Sequence, residues 1–395
     1  MTSIGLFTYS TKPRGSVVHA AYLAEALTAR NHDVTLYALS KAGDLFYRKL
    51  ACHVVYLPAE KAPVDPDSLI AQRVREISSG ITQLQPRHEL YHAEDCLAAS
   101  GLLASRAELR GAPLVRTLHH LEHFESPYLQ DCQRRSIVEA TAVACVSKVS
   151  QRDVARAFGR HCPVIGNGVD LARFVPDPQL ELRCRERFAV SANDVVVLSV
   201  GGVEPRKNTL RTLEAMIPVL LRNPQARWLI AGGASIWEHD AYRGAFFTRL
   251  AELGVNLRSR IVVLGGVTEQ ELTGLYGLSQ ILLCPSLQEG FGLCVLEAMA
   301  ARCAVVVADA EPFSEYLAPG AACFVDPQSE SSIGAAVERL LHDERLRATL
   351  AIEGVARAAR FSWAQVACDH ERLYRGLLAQ PRCQPASAYE ERAHA

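Results

Sequence analysis

Between Cys284 and Ala301 the chain reads C-P-S-L-Q-E-G-F-G-L-C-V-L-E-A-M-A-A, and Glu289 and Glu297 frame a turn that carries Gly290 and Gly292. A carboxylate only accepts hydrogen bonds, so a pair placed in this way suits hydroxyl groups better than phosphates. Glycines let a backbone approach a ligand closely, and free amides at the start of a helix attract an anion. A phosphate would therefore sit on the amides around Phe291, Gly292 and Leu293, between the two carboxylates. The local chemistry points to a phosphorylated, polyhydroxylated ligand. The bland alternative is a solvated helix with an acid near its start, and two glutamates at this spacing do not by themselves separate the two.

A second stretch, G-G-V-E-P-R-K-N-T-L, follows the apolar run V-V-V-L-S-V. Arg206 and Lys207 lie just past that run and ahead of a helix expected from Thr209. Two cations there suit a diphosphate, Arg as a fork and Lys as a point charge. A solvated pair at a turn would look the same. A third stretch, T-L-H-H-L-E-H-F, sets His119, His120 and His123 beside Glu122 and Glu125. His119 and His123 have the spacing of helical neighbours, which raises a metal site, but H-E-x-x-H is absent. No metal is expected. The 12 cysteines are scattered without a C-x-x-C pair. They read as small buried hydrophobes in a reducing compartment rather than as disulfides or ligands.

The elements that must hold these residues alternate between strand and helix. I-G-L-F-T-Y is a strand, Lys12–Ser16 a loop containing Gly15, Val17–Arg30 a helix and Val34–Tyr37 a strand. Asn31 stands where a left-handed helix cap is expected. Further strands are Val54–Leu57, Pro113–Leu118 and Thr141–Ser147. A helix over Leu69–Leu84 is expected to hold Arg73 and Arg75 on a solvated face. Asn167 and Gly168 make a tight turn, and the polar, proline-containing stretch Val175–Asp194 reads as a linker. The pattern then restarts with Trp228–Ala231, Ile261–Leu264, Ile281–Leu283 and Ala304–Ala308 as strands. Thr268 and Glu271 have the spacing of a capping box. Helices follow at Leu293–Ala301, Ser332–His342, around Ala351–Ala359 and at Ser362–Leu378, and the polar tail 380–395 is expected to be disordered. This is a doubly wound α/β plan, whose ligands bind at the C-terminal edge of the sheet. G-x-G-x-x-G is absent, which argues against a nicotinamide enzyme.

With 395 residues, two domains of roughly 150–200 residues each are expected. A net charge of −1 with 49% hydrophobic residues fits a globular enzyme and excludes a basic nucleic-acid binder. No apolar run approaches the roughly 20 residues of a membrane span. The start M-T-S-I-G-L-F reads as a first strand rather than a signal peptide.

The motif P-S-x-x-E-G-F-G-x-x-x-x-E-A-M-A resembles the donor site of retaining glycosyltransferases of the GT-B type, glycosyltransferase family four. The resemblance extends to the strand-Thr-x-His pattern at His119 and to the N-G-V-D turn. It implies a GT-B fold of two Rossmann-like, doubly wound domains facing across a cleft: an acceptor domain over 1–175, a donor domain over 176–361, and a helix over 362–379 crossing back. It implies transfer of a hexosyl group, with retention, from a UDP- or GDP-sugar to an acceptor hydroxyl, with no metal or other cofactor. By the same resemblance Glu289 lies by the donor sugar, Glu297 holds the ribose, His119 contacts the sugar, and Gly266 and Val267 lie against the base. Gly15 belongs to a loop between donor and acceptor. The family's diphosphate loop reads G-R-x-x-x-x-K. Here Gly202 takes the arginine position, Lys207 matches, and Arg206 is inferred to substitute. The acceptor is unspecified. The protein is expected in the cytoplasm, with peripheral contact at a membrane surface left open. Two alternatives are a GT-B phosphorylase or synthase using phosphate or a sugar phosphate, and a catalytically silent binding homologue.

Overall fold

A computed structural model describes residues 1–41, 43–63, 65–233 and 239–380. Six parallel strands form the first sheet: β1 (Ser3–Thr8), β2 (Asp33–Lys41), β3 (His53–Ala59), β4 (Leu90–Ala93), β5 (Leu114–Leu118) and β6 (Ala142–Cys145). Their order is β3-β2-β1-β4-β5-β6, with Ile4 in register with Val34 on one side and Leu90 on the other. The second sheet contains β7 (Val195–Val200), β8 (Ala226–Ala231), β9 (Ile261–Gly265), β10 (Ile281–Cys284), β11 (Ala304–Ala308) and β12 (Cys323–Val325). Its order, β12-β11-β10-β7-β8-β9, is the same topology repeated. In both sheets the winding reverses beside the first strand, between β1 and β4 and between β7 and β10. Central strands such as β4, β10 and β11 are buried along their whole length, as a parallel sheet covered on both faces requires.

The chain divides into two compact units. The first comprises Met1–Val146, Ser150–Gly166 and the last helix from Ala364; the second comprises Ser147–Val149 and Asn167–Trp363. The last helix, Trp363–Leu378, is tied into the first unit by Glu371, whose carboxylate accepts from Arg30 at 2.5 and 2.9 Å and from His32 at 2.9 Å. The Arg30 hydrogen bonds hold that carboxyl at about 2.

Two expectations are corrected. Within Val175–Asp194 lies a helix, Pro178–Arg187, rather than a linker. Asp177 caps it by accepting from the amides of Gln179 and Leu180, and Pro178 fills the first helical position. Its polarity misled because one narrow face does the packing. Cys184 is buried where a Cβ on Gly274, in the helix Glu269–Leu278, would come within 2.7 Å of its sulfur. Arg73 is not on a solvated face but buried, paired with Glu76 and donating to the Glu60 carbonyl, while Arg75 is exposed. Asn31 does adopt the left-handed conformation, and Thr268 and Glu271 do form a capping box. The tail assignment lies, from residue 381 onward, outside the described residues. No described helix is long and apolar enough to cross a membrane.

Candidate active site

In the second unit the loops that follow β7 and β10 meet at the reversal point of the sheet, where an open α/β sheet leaves a crevice for ligands. Lys207 comes from the first loop and Glu289 from the second. They meet at 2.5 Å although 82 residues separate them in the chain. The Ser286 hydroxyl donates to the same Glu289 oxygen at 2.9 Å. The Arg206 guanidinium stands 3.5 Å from the other oxygen and 3.0 Å from Glu204. Burial alone would raise the Glu289 carboxyl, but the charges of Lys207 and then Arg206 outweigh it and hold the group at about 2. Burial would likewise lower Lys207, and Glu289 reverses that and pushes its pKa up. Both groups are therefore charged at neutral pH, and 12% and 7% of their side chains face solvent. Such a cluster can exchange one anion for another.

Glu297 lies on the helix Leu293–Ala300, buried, and accepts from the Tyr276 hydroxyl at 2.8 Å. Burial raises its carboxyl, and the Tyr276 hydrogen bond opposes that shift. Gly292 begins this helix at φ 88°, where a Cβ would come within 2.6 Å of the Phe313 ring. The Phe291 ring stacks on Tyr316 with centroids 4.6 Å apart, and the Tyr316 hydroxyl donates to the Phe291 carbonyl at 2.9 Å. Phe291 thus holds the turn with its ring and its carbonyl and leaves its amide for a ligand. Gly290 is buried in the same turn and Leu293 is half-buried at the helix start. Gly266 and Val267 follow β9, and Gly266 is exposed.

Gly202 explains a departure from the motif. It sits at φ 77°, and a Cβ there would lie 2.8 Å from the Gly233 carbonyl oxygen. An arginine at this position would strain the backbone and collide with the loop that follows β8. The cation pair instead sits at the adjacent positions Arg206 and Lys207.

His119 and Gly15 belong to the first unit. Gly15 opens the helix Gly15–Thr28, and open space surrounds the place a Cβ would take. His119 follows β5 and reaches Glu94, which follows β4: Nε2 lies 3.1 Å from Glu94 Oε2. His19 Nδ1 lies 2.9 Å from the same oxygen. Burial would raise Glu94, but the imidazoles of His19 and His92 and the hydrogen bonds from His119 and His19 hold it well below the usual carboxylate range. Burial in turn pushes His119 down to about 4 against the Glu94 hydrogen bond. The histidine run does not form one cluster: His120 pairs with Glu122 at 2.5 Å, while His119 turns to Glu94. Among the described residues the group able to hold a metal is His19, Glu94 and His119, with ligand atoms within 4.8 Å of one another. In the structure Glu94 already engages both imidazoles.

Four contributors were not assigned from the sequence: Ser286, Tyr276, His19 and Glu94. Ser286 lies inside the quoted Cys284–Ala301 stretch, and both Ser286 and Glu94 stand just past the C-terminal end of a central strand, the one local signal that could have found them. Nothing local marks Tyr276 or His19.

Comparison with known proteins gives matches in both halves of the chain. The model of glycosyl transferases group 1 matches residues 183–356, and that of Glycosyltransferase Family 4 matches residues 13–173. The chain is 28% identical over 280 residues to the D-inositol 3-phosphate glycosyltransferase of Corynebacterium efficiens, a match covering 66% of this chain and 65% of that protein. It therefore spans just under two thirds of that relative. It is 27% identical over 398 residues to the protein of the same name from Acidothermus cellulolyticus, covering 93% of this chain and 87% of the relative. The crystal structure of Anabaena HepE in complex with UDP and glucose superposes with a TM-score of 0.76 at 21% identity, covering 95% of this chain and all of that one. One glycosyltransferase model matches within each half of the chain, and together they leave one assignment: the chain belongs to glycosyltransferase family four, the group 1 glycosyltransferases of the GT-B fold.

Proposed function

We propose that the protein moves a hexosyl group from a nucleoside-diphosphate sugar to an acceptor hydroxyl, with retention at the anomeric carbon and without a metal. The observation that carries this reading is the convergence of Arg206 and Lys207 on Glu289 at the reversal point of the second sheet. Departure of the nucleotide places negative charge on its β-phosphate. Two fixed cations and the amides of the Gly292 turn are preorganised to receive that charge, as in an oxyanion hole. In the free protein Glu289 neutralises the cations. A bound diphosphate takes over that task and leaves Glu289 to accept from hydroxyls of the sugar. Attack from the leaving-group side lets the departing phosphate take the acceptor's proton, so no separate side-chain base is needed. His119 is assigned to contact the sugar, and Gly266 and Val267 to the base. The UDP and glucose of the Anabaena neighbour support a nucleotide-sugar donor. The names of the relatives support a glycosyl-group transfer.

Thermal stability measured against UDP, GDP, ADP and dTDP tests this reading. A nucleotide at a hundred times its Kd adds about 2.7 kcal/mol, a rise of several degrees in Tm. A shift with one of them names the donor class. No shift with any, in folded protein, favours the phosphorylase or the silent homologue.

Glu297→Ala is expected to weaken nucleoside-diphosphate binding by roughly tenfold to a hundredfold, the scale of a hydrogen bond to a charged group. Binding titrations with the ribonucleotide and its 2′,3′-dideoxy analogue check it. An unchanged affinity for the ribonucleotide removes Glu297 from the ribose contact. Tyr276→Phe should give a smaller loss, since it only frees the carboxylate to turn.

A further inference from the structure

Glu94 lies beneath His119 in the first unit, and neither the carboxylate nor His19 has any exposed side-chain surface. His119 is the member of this group that reaches the surface, with 16% of its side chain exposed. An ionised carboxylate has no proton to give, so an imidazole nitrogen hydrogen-bonded to Glu94 Oε2 must carry one. That assigns Nε2–H to His119. Nδ1 of His119 makes no hydrogen bond to any described residue.

The surroundings hold this arrangement in place. His92 Nε2 stands 3.7 Å from Glu94 Oε1, and its ring is locked by the Tyr374 hydroxyl at 2.6 Å and the Thr117 hydroxyl at 2.7 Å. His370 packs on both His19 and His92, with its Nδ1 donating to the Val366 carbonyl at 2.9 Å. Arg116 and Asp95 are the other charged groups nearby, both buried. Glu94 is thus walled by His19, His92 and His119, and its Oε2 holds the ring of His119.

We propose that Glu94 is a positioning residue that sets His119 in the tautomer protonated at Nε2, so that a bare Nδ1 accepts a hydrogen bond from a hydroxyl of the donor sugar. This rests on the reading above that His119 meets the sugar. A carboxylate behind an imidazole sets both its orientation and which nitrogen is free, and the wrong tautomer disables the ring without moving it. The selectivity is for chemistry: a neutral imidazole presenting Nδ1 engages a group that donates, and rejects one that only accepts.

The test combines spectroscopy and kinetics on the full chain. Long-range ¹H–¹⁵N spectra of histidine-labelled protein at pH 7.5, with the His119 signal assigned by loss in His119→Ala, should show Nε2 protonated and Nδ1 bare. In Glu94→Gln, which keeps the volume and removes the charge, that preference should be lost. The same variant should lower kcat about tenfold to a hundredfold, the scale seen when a group orienting an essential histidine is removed, and leave the Tm shift with nucleoside diphosphate unchanged. His119→Ala and the double variant should have equal turnover, because Glu94 acts through His119. A wild-type spectrum with the proton on Nδ1 overturns the proposal without any variant having to fold. Additive losses in the double variant, or wild-type kcat in Glu94→Gln, overturn it as well. Wild-type turnover in His119→Ala instead removes the underlying reading of His119, an outcome recognisable because the tautomer would still be as described.

Discussion

Lys207→Ala is expected to lower turnover by about a hundredfold to a thousandfold, the range for loss of one preorganised charge-stabilising donor. Removing its ammonium takes away one of the two cations proposed to receive the charge of the leaving diphosphate. The same change leaves Glu289 buried with Ser286 at 2.9 Å and the Arg206 guanidinium no nearer than 3.5 Å. Stripping one partner from a buried ion pair costs about 3–5 kcal/mol, so the variant should also unfold at lower denaturant. A second variant separates the two effects. Lys207→Ala combined with Glu289→Gln no longer buries an unpaired charge, and should regain much of the lost stability while remaining catalytically poor. Denaturant midpoints and single-turnover rates for both variants check this. Wild-type turnover in Lys207→Ala removes it from the mechanism, and an unchanged midpoint shows that Glu289 finds another partner.

Acid should destabilise the first unit well above the range where carboxylates protonate. Burial pushes His119 and His370 down to about 4 and His92 to about 3, against about 6.5 in an unfolded chain. Groups whose folded pKa is depressed bind protons more readily when unfolded. Their stabilisation is complete above about pH 6.5 and is lost as the pH falls toward about 4. Between pH 7.5 and 5 each imidazole accounts for roughly 2 kcal/mol. Three such groups amount to a large share of the roughly 5–15 kcal/mol that a folded protein has in total. Glu94, held ionised, adds to the loss once the pH drops below the unfolded carboxylate range near 4.3. Urea midpoints at pH 7.5, 6 and 5 measure the slope. A flat profile would mean that these histidines are not neutral in the folded state.

Much of the architecture was legible because the signals are local. Each central strand is an apolar run ended by glycine, proline or a polar residue. The helix starts carry their caps in the flanking sequence, as at Thr268 and Glu271. The glutamate and glycine motif around Gly290 and the cations at 206 and 207 could be placed at strand ends from the order of runs alone. The helix Pro178–Arg187 was missed because composition averages over a whole segment, whereas burial acts on one face; Cys184 is its only fully buried residue. Arg73 was missed for the converse reason, since an arginine can lie within a structure when Glu76 and a carbonyl answer its guanidinium.

The sequence by itself determined two repeats of a parallel α/β plan, the strand ends that present chemistry, and the residue types offered there. Tertiary structure decided which of those residues meet. Lys207 reaches Glu289 across 82 residues, and Glu94 reaches His119 across 25. The physical reason is the parallel sheet. It sets neighbouring strands side by side only after a long crossover, so residues adjacent at its edge are remote along the chain. Local periodicity reports which face of an element is buried and carries no record of the strand beside it. His119 stands next to His120 in the sequence, yet its partner Glu94 comes from the end of β4, beside His19 of the helix Gly15–Thr28, and that pairing exists only once the sheet has formed.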